Sequence, residues 1–282
     1  SKHTNIPIIT RVHGTFPEYT VYTKFFSFGK AFIDLAFKTQ YIATTTHYYI
    51  DFFQQYFQSY DPFFNKNFFI IPNTVDSRTI TTSTNIKTQS DVITFFQLGR
   101  MNRTGYHQKG FDDTIQGLFY LETILSEEQL KRIHYIVIGK GEMKQEFINK
   151  ISGLKYIKVT HYESKTNNEV KEILRHSDVI LLPSRCEGMS MFATEALSLG
   201  KAFISTENNG LRDLIINNYN GITIRPYDYL RLAQAMKFYI ENPTKIEEYG
   251  KNSQDLFNKE FSFNAVALKF EAIVNMLGIN SK

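Results

Sequence analysis

The part of the sequence after residue 91 alternates short apolar runs with helical patterns, and this alternation constrains the fold more than any other feature. Apolar runs of strand length occur at residues 92–98, 133–138, 179–182 and 202–205. Helical patterns lie between them, at residues 111–125, 143–151, 168–175 and 192–199. Short buried strands that alternate with helices of this length are typical of a doubly wound parallel sheet. We therefore predict an α/β fold with such a sheet in this part of the chain.

The beginning of the chain shows a weaker pattern of the same elements. We predict strands at residues 6–12 and 68–71, and helices at residues 25–38 and 48–57. A polar stretch rich in Thr, Ser and Asn follows and resembles a linker or an exposed loop. The predicted organisation is a first unit at residues 1–77, the linker or loop at 78–90, a second unit at 91–260 and a final amphipathic helix at 261–282. A return of that helix to the first unit is one option.

One face of the predicted helix 48–57 carries the aromatic residues Phe52, Phe53, Tyr56 and Phe57. Both the protein core and a membrane surface could receive such a face. The apolar face of a helix normally packs inward, so we favour the core. Burial of these rings would remove the argument for membrane contact.

Composition and charge exclude several classes of protein. The net charge is +4 and the basic residues are scattered, which suits an anionic small ligand or a loose membrane association but not nucleic acid. The single cysteine, Cys186, excludes a disulfide scaffold and a cysteine-ligated zinc site. We find no signal peptide and no apolar run of spanning length. We therefore predict a cytoplasmic protein that is not integral to a membrane.

The pattern of metal-ligating residues predicts no metal and no cofactor. The seven histidines are dispersed along the chain. No Asp-X-Asp triplet is present to hold a divalent ion against a diphosphate. The turn from Gly139 to Gly141 begins like a dinucleotide fingerprint, but Lys144 stands where the third glycine is required, which excludes a nicotinamide or flavin site. A tight strand-to-helix turn is the alternative there.

Two cations follow the first predicted strand of the second unit. Arg100 comes after Gly99, and Lys109 precedes Gly110. Ligands of doubly wound sheets bind beyond the carboxyl ends of the strands, and two fixed cations there suit a pyrophosphate that gains charge as it departs. Solvated surface cations are the alternative.

Two carboxylates follow the predicted strand 179–182. Glu187 falls in a turn, and Glu195 falls in the second turn of a helix that we predict to begin at Met189. Gly188 allows close approach of a ligand, and the free N–H groups from Met189 to Met191 would form a phosphate site at the helix start. Carboxylates accept hydrogen bonds from vicinal hydroxyl groups. A capping Glu187 and a solvated Glu195 are the alternative.

At this point the sequence resembles the retaining glycosyltransferases of the GT-B fold, specifically glycosyltransferase family 4 and its E-x7-E motif. Further segments resemble that family in the same order along nearly the whole chain: "YIATTTHYYIDFF", "FFIIPNTVD", "FFQLGR" with "KGFDDTIQGL", "HYIVIGKGEMKQEF", "HSDVILLPSRCEGMSMFATEALSLGKAFIST", "NNGLRDLI" and "NGITI". The resemblance implies a complete C-terminal Rossmann-like sheet and a partial N-terminal Rossmann-like domain.

The resemblance also implies roles for individual residues. Arg100 and Lys109 would hold the diphosphate of a nucleotide sugar, Glu187 would contact the sugar hydroxyls, and Glu195 would bind the ribose. His13 would reach the sugar from the first unit. The remaining donor-binding residues would be Gly99, Gly188, Met189, Ser190 and Met191 around the sugar and phosphates, and Gly139, His161 and Tyr162 near the nucleobase.

The sequence departs from the family at three places. Nine positions separate Arg100 from Lys109, so we expect an inserted turn at residues 102–108 to bulge outward, and Arg103 becomes a rival for the phosphate role. Ser190 replaces a common glycine and would narrow the sugar pocket. The resemblance also implies that the chain begins near the last third of the N-terminal domain, with about a hundred residues missing. A fragment of that kind is expected to bind nucleotide sugar but to transfer poorly.

The function implied is transfer of a hexose or N-acetylhexosamine, with retention and without metal, from a UDP-sugar. The acceptor would be a glycan or a polyprenyl-diphosphate-linked sugar in surface polysaccharide biosynthesis, of the O-antigen or capsule kind. The enzyme would act in the cytoplasm, with peripheral association to the inner face of the membrane as an option. A GT-B nucleotide-sugar epimerase and a non-catalytic nucleotide-sugar-binding subunit are the alternatives.

Overall fold

The computed structural model describes residues 9–11, 39–58, 67–76, 91–207 and 209–278. Its first described part is a small parallel sheet in the order β1-β2-β3. Helix α1, His47–Gln58, follows β2. The strands are β1 (Ile9–Arg11), β2 (Tyr41–Thr44) and β3 (Asn67–Ile70). The predicted helix 25–38 and the predicted linker 78–90 lie outside the described residues.

The second described part is a six-stranded parallel sheet in the order β6-β5-β4-β7-β8-β9. Its chain order reverses between the neighbours β4 and β7, the switch point where sheets of this kind bind ligands. This sheet confirms the predicted doubly wound α/β fold. The strands are β4 (Ile93–Leu98), β5 (Ile133–Ile138), β6 (Lys158–Tyr162), β7 (Val179–Leu182), β8 (Ala202–Thr206) and β9 (Gly221–Ile224). The apolar runs had predicted only four of them, because β6 is largely polar and β9 alternates a glycine and a threonine with its two isoleucines.

Helices cover both faces of this sheet. Adjacent residues of β4 show why both faces of the strand carry apolar side chains: Phe95 packs into one core cluster, Phe96 packs into the other, and both are fully buried. The described helices are α2 (Arg103–Gln108), α3 (Phe111–Ile124), α4 (Glu127–Lys131), α5 (Lys144–Ile151), α6 (Asn167–His176), α7 (Met191–Ser198), α8 (Tyr229–Glu241), α9 (Pro243–Leu256) and α10 (Phe263–Met276). A π-helical turn, Phe257–Phe261, precedes α10.

Helix α10 packs on the small sheet and not on the large one. Ile273 forms a buried cluster with Ala43 and Ile71. Two further contacts join the parts beside the switch point: the N–H of His47 donates to Asp213 Oδ2 at 2.6 Å, and Asp51 pairs with Arg212. The first turn of α1 therefore rests on the segment that follows β8.

The structure describes two of the four aromatic side chains on the aromatic face of α1. Phe53 is 2% exposed and lies 6.4 Å from the ring of Phe68, whereas Phe52 is half-buried. The side chains of Tyr56 and Phe57 lie outside the described residues. Phe53 thus packs into the protein, as the core interpretation predicts. Among the described residues, no helix is both long enough and apolar enough to cross a bilayer.

Candidate active site

The loop after β4 is fixed by a buried side chain of the sheet. Gln97, at 1% exposure, donates from Nε2 to the carbonyl of Lys109 at 2.9 Å. Its Oε1 accepts from the hydroxyls of Thr114 at 2.8 Å and Tyr135 at 2.7 Å. A buried polar network whose members are satisfied holds a backbone rigidly. The core therefore sets the position of Lys109 at the switch point.

The side chain of Lys109 forms an ion pair with Glu187, from the loop after β7. Their side chains are 19% and 10% exposed. The hydroxyl of Ser184 donates to the same carboxylate oxygen, Oε1, at 2.9 Å. No described residue bonds Glu187 Oε2, so that oxygen can receive a ligand hydroxyl. The sequence had placed both residues at one ligand but had not predicted that they contact each other.

Glycines bring the two loops into contact. Gly110 has a left-handed φ of +68°, and a Cβ there would lie 2.1 Å from the carbonyl oxygen of Pro183. A Cβ on Gly99 would lie 2.7 Å from Cγ of Lys109. On the other side, a Cβ on Gly210 would lie 2.2 Å from the carbonyl oxygen of Gly188. The backbone around Glu187 is thus packed more closely than any side chain would allow.

Arg185 fixes the loop after β7 through contacts with three other residues. Its guanidinium donates to Asp113 Oδ1 at 2.9 Å and lies 4.3 Å from the centre of the Tyr227 ring. Its N–H donates to the carbonyl of Gln108 at 2.8 Å. Burial raises the pKa of the Asp113 carboxyl, and the charge of Arg185 opposes that rise. Sequence reasoning missed this clamp, since the three side chains are far apart along the chain.

The helix after this loop begins two residues later than predicted. Ser190 is its N-cap, with Oγ accepting from the N–H of Ala193 at 3.3 Å. The helix therefore starts at Met191, and not at Met189, whose buried sulfur accepts from the N–H of Asn73 at 2.9 Å. No described acceptor takes the N–H groups of Met191 and Phe192, so both remain available to a ligand at the helix start. The capping role explains a serine where the family often has glycine.

Glu195 lies in the second turn of α7, as the spacing predicted. Burial raises the pKa of its carboxyl, and the charge of Lys171 opposes that rise. Lys171 lines a cavity of about 560 Å³, together with Tyr162 and other residues of the α6 segment. Lys171 thus acts on the charge of Glu195 and also lines a cavity with the volume of a nucleoside-sized group.

The predicted nucleobase residues join the ends of β5 and β6. His161 donates from Nε2 to the carbonyl of Gly139 at 2.9 Å, and the N–H of Gly139 donates to the carbonyl of Tyr162 at 2.9 Å. One ring nitrogen of His161 is thus used to hold the turn. The ammonium of Lys165 lies 4.7 Å over the ring of Tyr162.

The two candidate arginines are exposed. No described residue bonds the guanidinium of Arg100 or that of Arg103. The insertion at residues 102–108 forms helix α2, which is capped by Asn102 and anchored by Tyr106 at 2% exposure. Most of its other side chains are exposed.

His13 lies outside the described residues, so its place in the site stays a prediction. Within residues 9–11, 39–58, 67–76, 91–207 and 209–278, no group of three or more His, Cys, Asp or Glu side chains could hold a metal ion. The site described above is therefore built from one ion pair, one helix start and one half-buried carboxylate.

The parallel sheets of this chain and their strand order are those of the GT-B glycosyltransferase fold. The solved structure of Anabaena HepE in complex with UDP shares this fold, with a TM-score of 0.73 at 15% identity over 97% of this chain and 72% of that one. The chain belongs to the family described as glycosyl transferases group 1, whose model matches residues 84–256.

Curated relatives also match a part of the chain. A glycogen synthase of Mycobacterium tuberculosis is 22% identical over 166 residues, 57% of this chain and 38% of that protein. An Escherichia coli UDP-Gal:alpha-D-GlcNAc-diphosphoundecaprenol alpha-1,3-galactosyltransferase is 30% identical over 109 residues, 36% of this chain and 26% of that protein. The match thus spans less than half the length of these curated relatives.

Proposed function

We propose that the protein is a retaining, metal-independent glycosyltransferase of family 4 that uses a UDP-hexose or UDP-N-acetylhexosamine. The observation that carries the proposal is the Lys109–Glu187 ion pair at the switch point of the sheet. It offers a cation for a departing diphosphate beside a carboxylate for sugar hydroxyls. A cation and an acid in contact are held in place before any ligand arrives.

The donor is bound in extended form along the crevice. The ammonium of Lys109 and the free N–H groups of Met191 and Phe192 receive the diphosphate, aided by the dipole of α7. Oε2 of Glu187 accepts from a hydroxyl of the sugar. Glu195 accepts from the ribose hydroxyls beside the cavity of about 560 Å³. Arg100 reaches the diphosphate from the opening, and His13 reaches the sugar from the first unit.

Transfer proceeds on the face from which the diphosphate leaves. The bond from the anomeric carbon to the phosphate oxygen breaks, and its electron pair stays on the diphosphate. Lys109 and the helix start stabilise that added charge. The acceptor hydroxyl loses its proton to a phosphate oxygen and bonds to the anomeric carbon on the same face, so the configuration is retained.

The acceptor and the cellular setting are inferred from a relative. The Escherichia coli protein is named for transfer from UDP-galactose to a sugar on diphosphoundecaprenol. We propose a glycan or polyprenyl-diphosphate-linked acceptor for this chain too, in surface polysaccharide synthesis at the cytoplasmic face of a membrane.

Thermal-shift measurements with UDP-, GDP- and ADP-sugars test the donor. We expect the largest increase in melting temperature with a UDP-sugar, because a ligand that binds only the folded state stabilises it. Glu187→Gln should lose much of this shift, whereas Glu241→Gln, an exposed acid on α8, should keep it. No shift with any nucleotide sugar would contradict the proposal. An epimerised sugar as the product, or transfer abolished by EDTA, would contradict its chemistry.

A further inference from the structure

A second cavity, of about 460 Å³, lies at the carboxyl ends of β8 and β9. Tyr48 of α1 forms one wall, and Thr206, Glu207, Arg212, Asn217 and Thr223 of the large-sheet part contribute to the other. The residues given above to the donor do not line it. It lies between the two described parts of the molecule, because residues of both parts line it.

The cavity adjoins the candidate active site through a short chain of hydrogen bonds. The hydroxyl of Thr206 donates to the carbonyl of Ser184, whose own hydroxyl donates to Glu187 Oε1 at 2.9 Å. The N–H of Gly210 donates to the carbonyl of Glu187 at 3.0 Å. A ligand in the cavity therefore lies next to the loop that would hold the transferred sugar.

The contacts between the two parts fix the aromatic wall. His47, next to Tyr48, donates its N–H to Asp213 Oδ2 at 2.6 Å, and Asp51 pairs with Arg212. The ring of Tyr48 packs at 5.3 Å from that of Tyr49. These contacts hold the ring of Tyr48 in a fixed position, where its flat surface forms a wall of the cavity.

The charges around the cavity disfavour an anionic ligand. Glu207 is exposed, and the guanidinium of Arg212 is already shared by Asp51 and Asp213, at 3.8 Å from the latter. Two carboxylates therefore lie beside this cation, and Glu207 adds a third acid to the lining of the cavity. Carboxylate and amide groups accept hydrogen bonds from hydroxyls, and an aromatic ring packs against the C–H face of a sugar. A neutral, hydroxyl-rich ligand fits this chemistry.

We propose that this cavity binds a neutral sugar unit of the acceptor, with its ring against Tyr48 and its hydroxyls on Glu207. Asn217 would donate to the same sugar from its amide nitrogen. Its side chain is held in place because its Oδ1 accepts from the N–H of Thr223 at 3.0 Å. The inference rests on the proposed function, because only a transferase needs a second saccharide site beside the donor.

Saturation-transfer NMR with two neutral disaccharides, maltose and N,N′-diacetylchitobiose, tests the cavity on the full chain in the presence of UDP. We expect binding of at least one disaccharide, and about tenfold weaker binding by Tyr48→Ala and by Glu207→Gln, which corresponds to about 1.4 kcal/mol. Tyr48→Phe keeps the ring and should bind as the wild type does. Tyr156→Ala and Glu241→Gln are the matched controls, since both side chains are exposed elsewhere.

The dissociation constant of UDP, measured by calorimetry on the same samples, separates the two proposals. If the wild type binds UDP but neither disaccharide, or if both variants keep full disaccharide binding, the cavity assignment is wrong and the proposed function stands. Tighter binding of glucose 6-phosphate than of maltose would also overturn the assignment, since the charges favour a neutral ligand. If the wild type does not bind UDP, the proposed function fails and the acceptor role fails with it.

Discussion

At the scale of single residues, the ion pair between Lys109 and Glu187 is the feature with the clearest energetic consequence. Both side chains are largely buried, and removing one partner of such a pair leaves the other charge poorly solvated. The pair is also the point where charge would develop during transfer. Lys109 should therefore affect turnover more than ground-state binding.

Replacing Lys109 by alanine tests this expectation. Turnover should fall by about 10²–10³-fold, the usual effect of losing one donor to a developing anion, while the dissociation constant of the donor changes much less. Steady-state kinetics and calorimetry on an active form of the protein measure the two quantities. Lys131→Ala, in an exposed i,i+4 pair on α4, is the control. Equal losses in binding and turnover would show that Lys109 acts only on the ground state.

The raised pKa of Glu195 gives a second prediction at the residue scale. Replacing this residue by glutamine should stabilise the fold and weaken the binding of the nucleotide. Burial raises the folded-state pKa, so the folded protein binds this proton more readily than the unfolded chain does. Ionisation at neutral pH therefore costs folding free energy, and the cost disappears as the pH falls toward about 4, the ordinary value for glutamate. Glu195→Gln should raise the melting temperature at pH 7 and leave it unchanged at acid pH.

The same substitution should weaken nucleotide binding. Hydrogen bonds to ionised acceptors are stronger than those to neutral ones, and we expect an affinity for UDP about tenfold lower. Wild-type affinity should fall as the pH drops through the raised pKa of Glu195, and the variant should lose this dependence. The control is Glu271→Gln, on an exposed face of α10. A variant that is no more stable at pH 7 would contradict the burial argument.

At the scale of elements, the sequence predicts the strands and helices that follow a local period. It does not predict features that depend on contacts between distant segments. The strand β5 and the helices α3 and α6 fall within two residues of their predicted bounds, because apolar period and capping are local. Helix α2 was expected as a bulge, because nothing local shows that Tyr106 reaches the core. The clamp of Arg185 on Asp113 spans 72 positions, and no spacing rule relates them.

The contact between the loops after β4 and β7 depends on Gly110. A side chain there would require a left-handed φ of +68° and would collide with the carbonyl of Pro183. Gly110→Ala should lower the free energy of unfolding by at least about 1–3 kcal/mol from backbone strain alone. Nucleotide affinity should fall as well, because Lys109 is the adjacent residue.

Urea denaturation and a UDP titration of the same variant measure both effects. Gly153→Ala is the control, since an added Cβ there meets only the movable ring of Phe119, at 3.1 Å. Unchanged stability and affinity in Gly110→Ala would mean that the two loops need not touch.

At the scale of the whole molecule, helix α10 joins the two described parts. Ile273 is 7% exposed in its cluster with Ala43 and Ile71, whereas Leu268 on the same helix is 66% exposed. The sequence shows an amphipathic helix here but not the sheet on which it packs, because the apolar face fits any apolar surface.

The two faces of α10 should contribute differently to the free energy of unfolding. Ile273→Ala should lower the free energy of unfolding by about 2–5 kcal/mol, as for other buried isoleucines, and Leu268→Ala should change it by less than about 0.5 kcal/mol. Urea denaturation measures both. Similar effects of the two substitutions would mean that α10 does not hold the small sheet in the folded protein.

The central position of β4 and β7 has a consequence for the order of events during folding. Lys109 and Glu187 are 78 residues apart, and the closure of so long a loop is an entropic cost that only later contacts repay. Pairings of high sequence separation form slowly, and the pairing of β7 with β4 closes a loop that contains β5, β6 and their helices. We expect the ability to bind a donor to appear only at the end of folding. Donor affinity would then report the completed fold, and a partly folded chain would leave its substrate untouched.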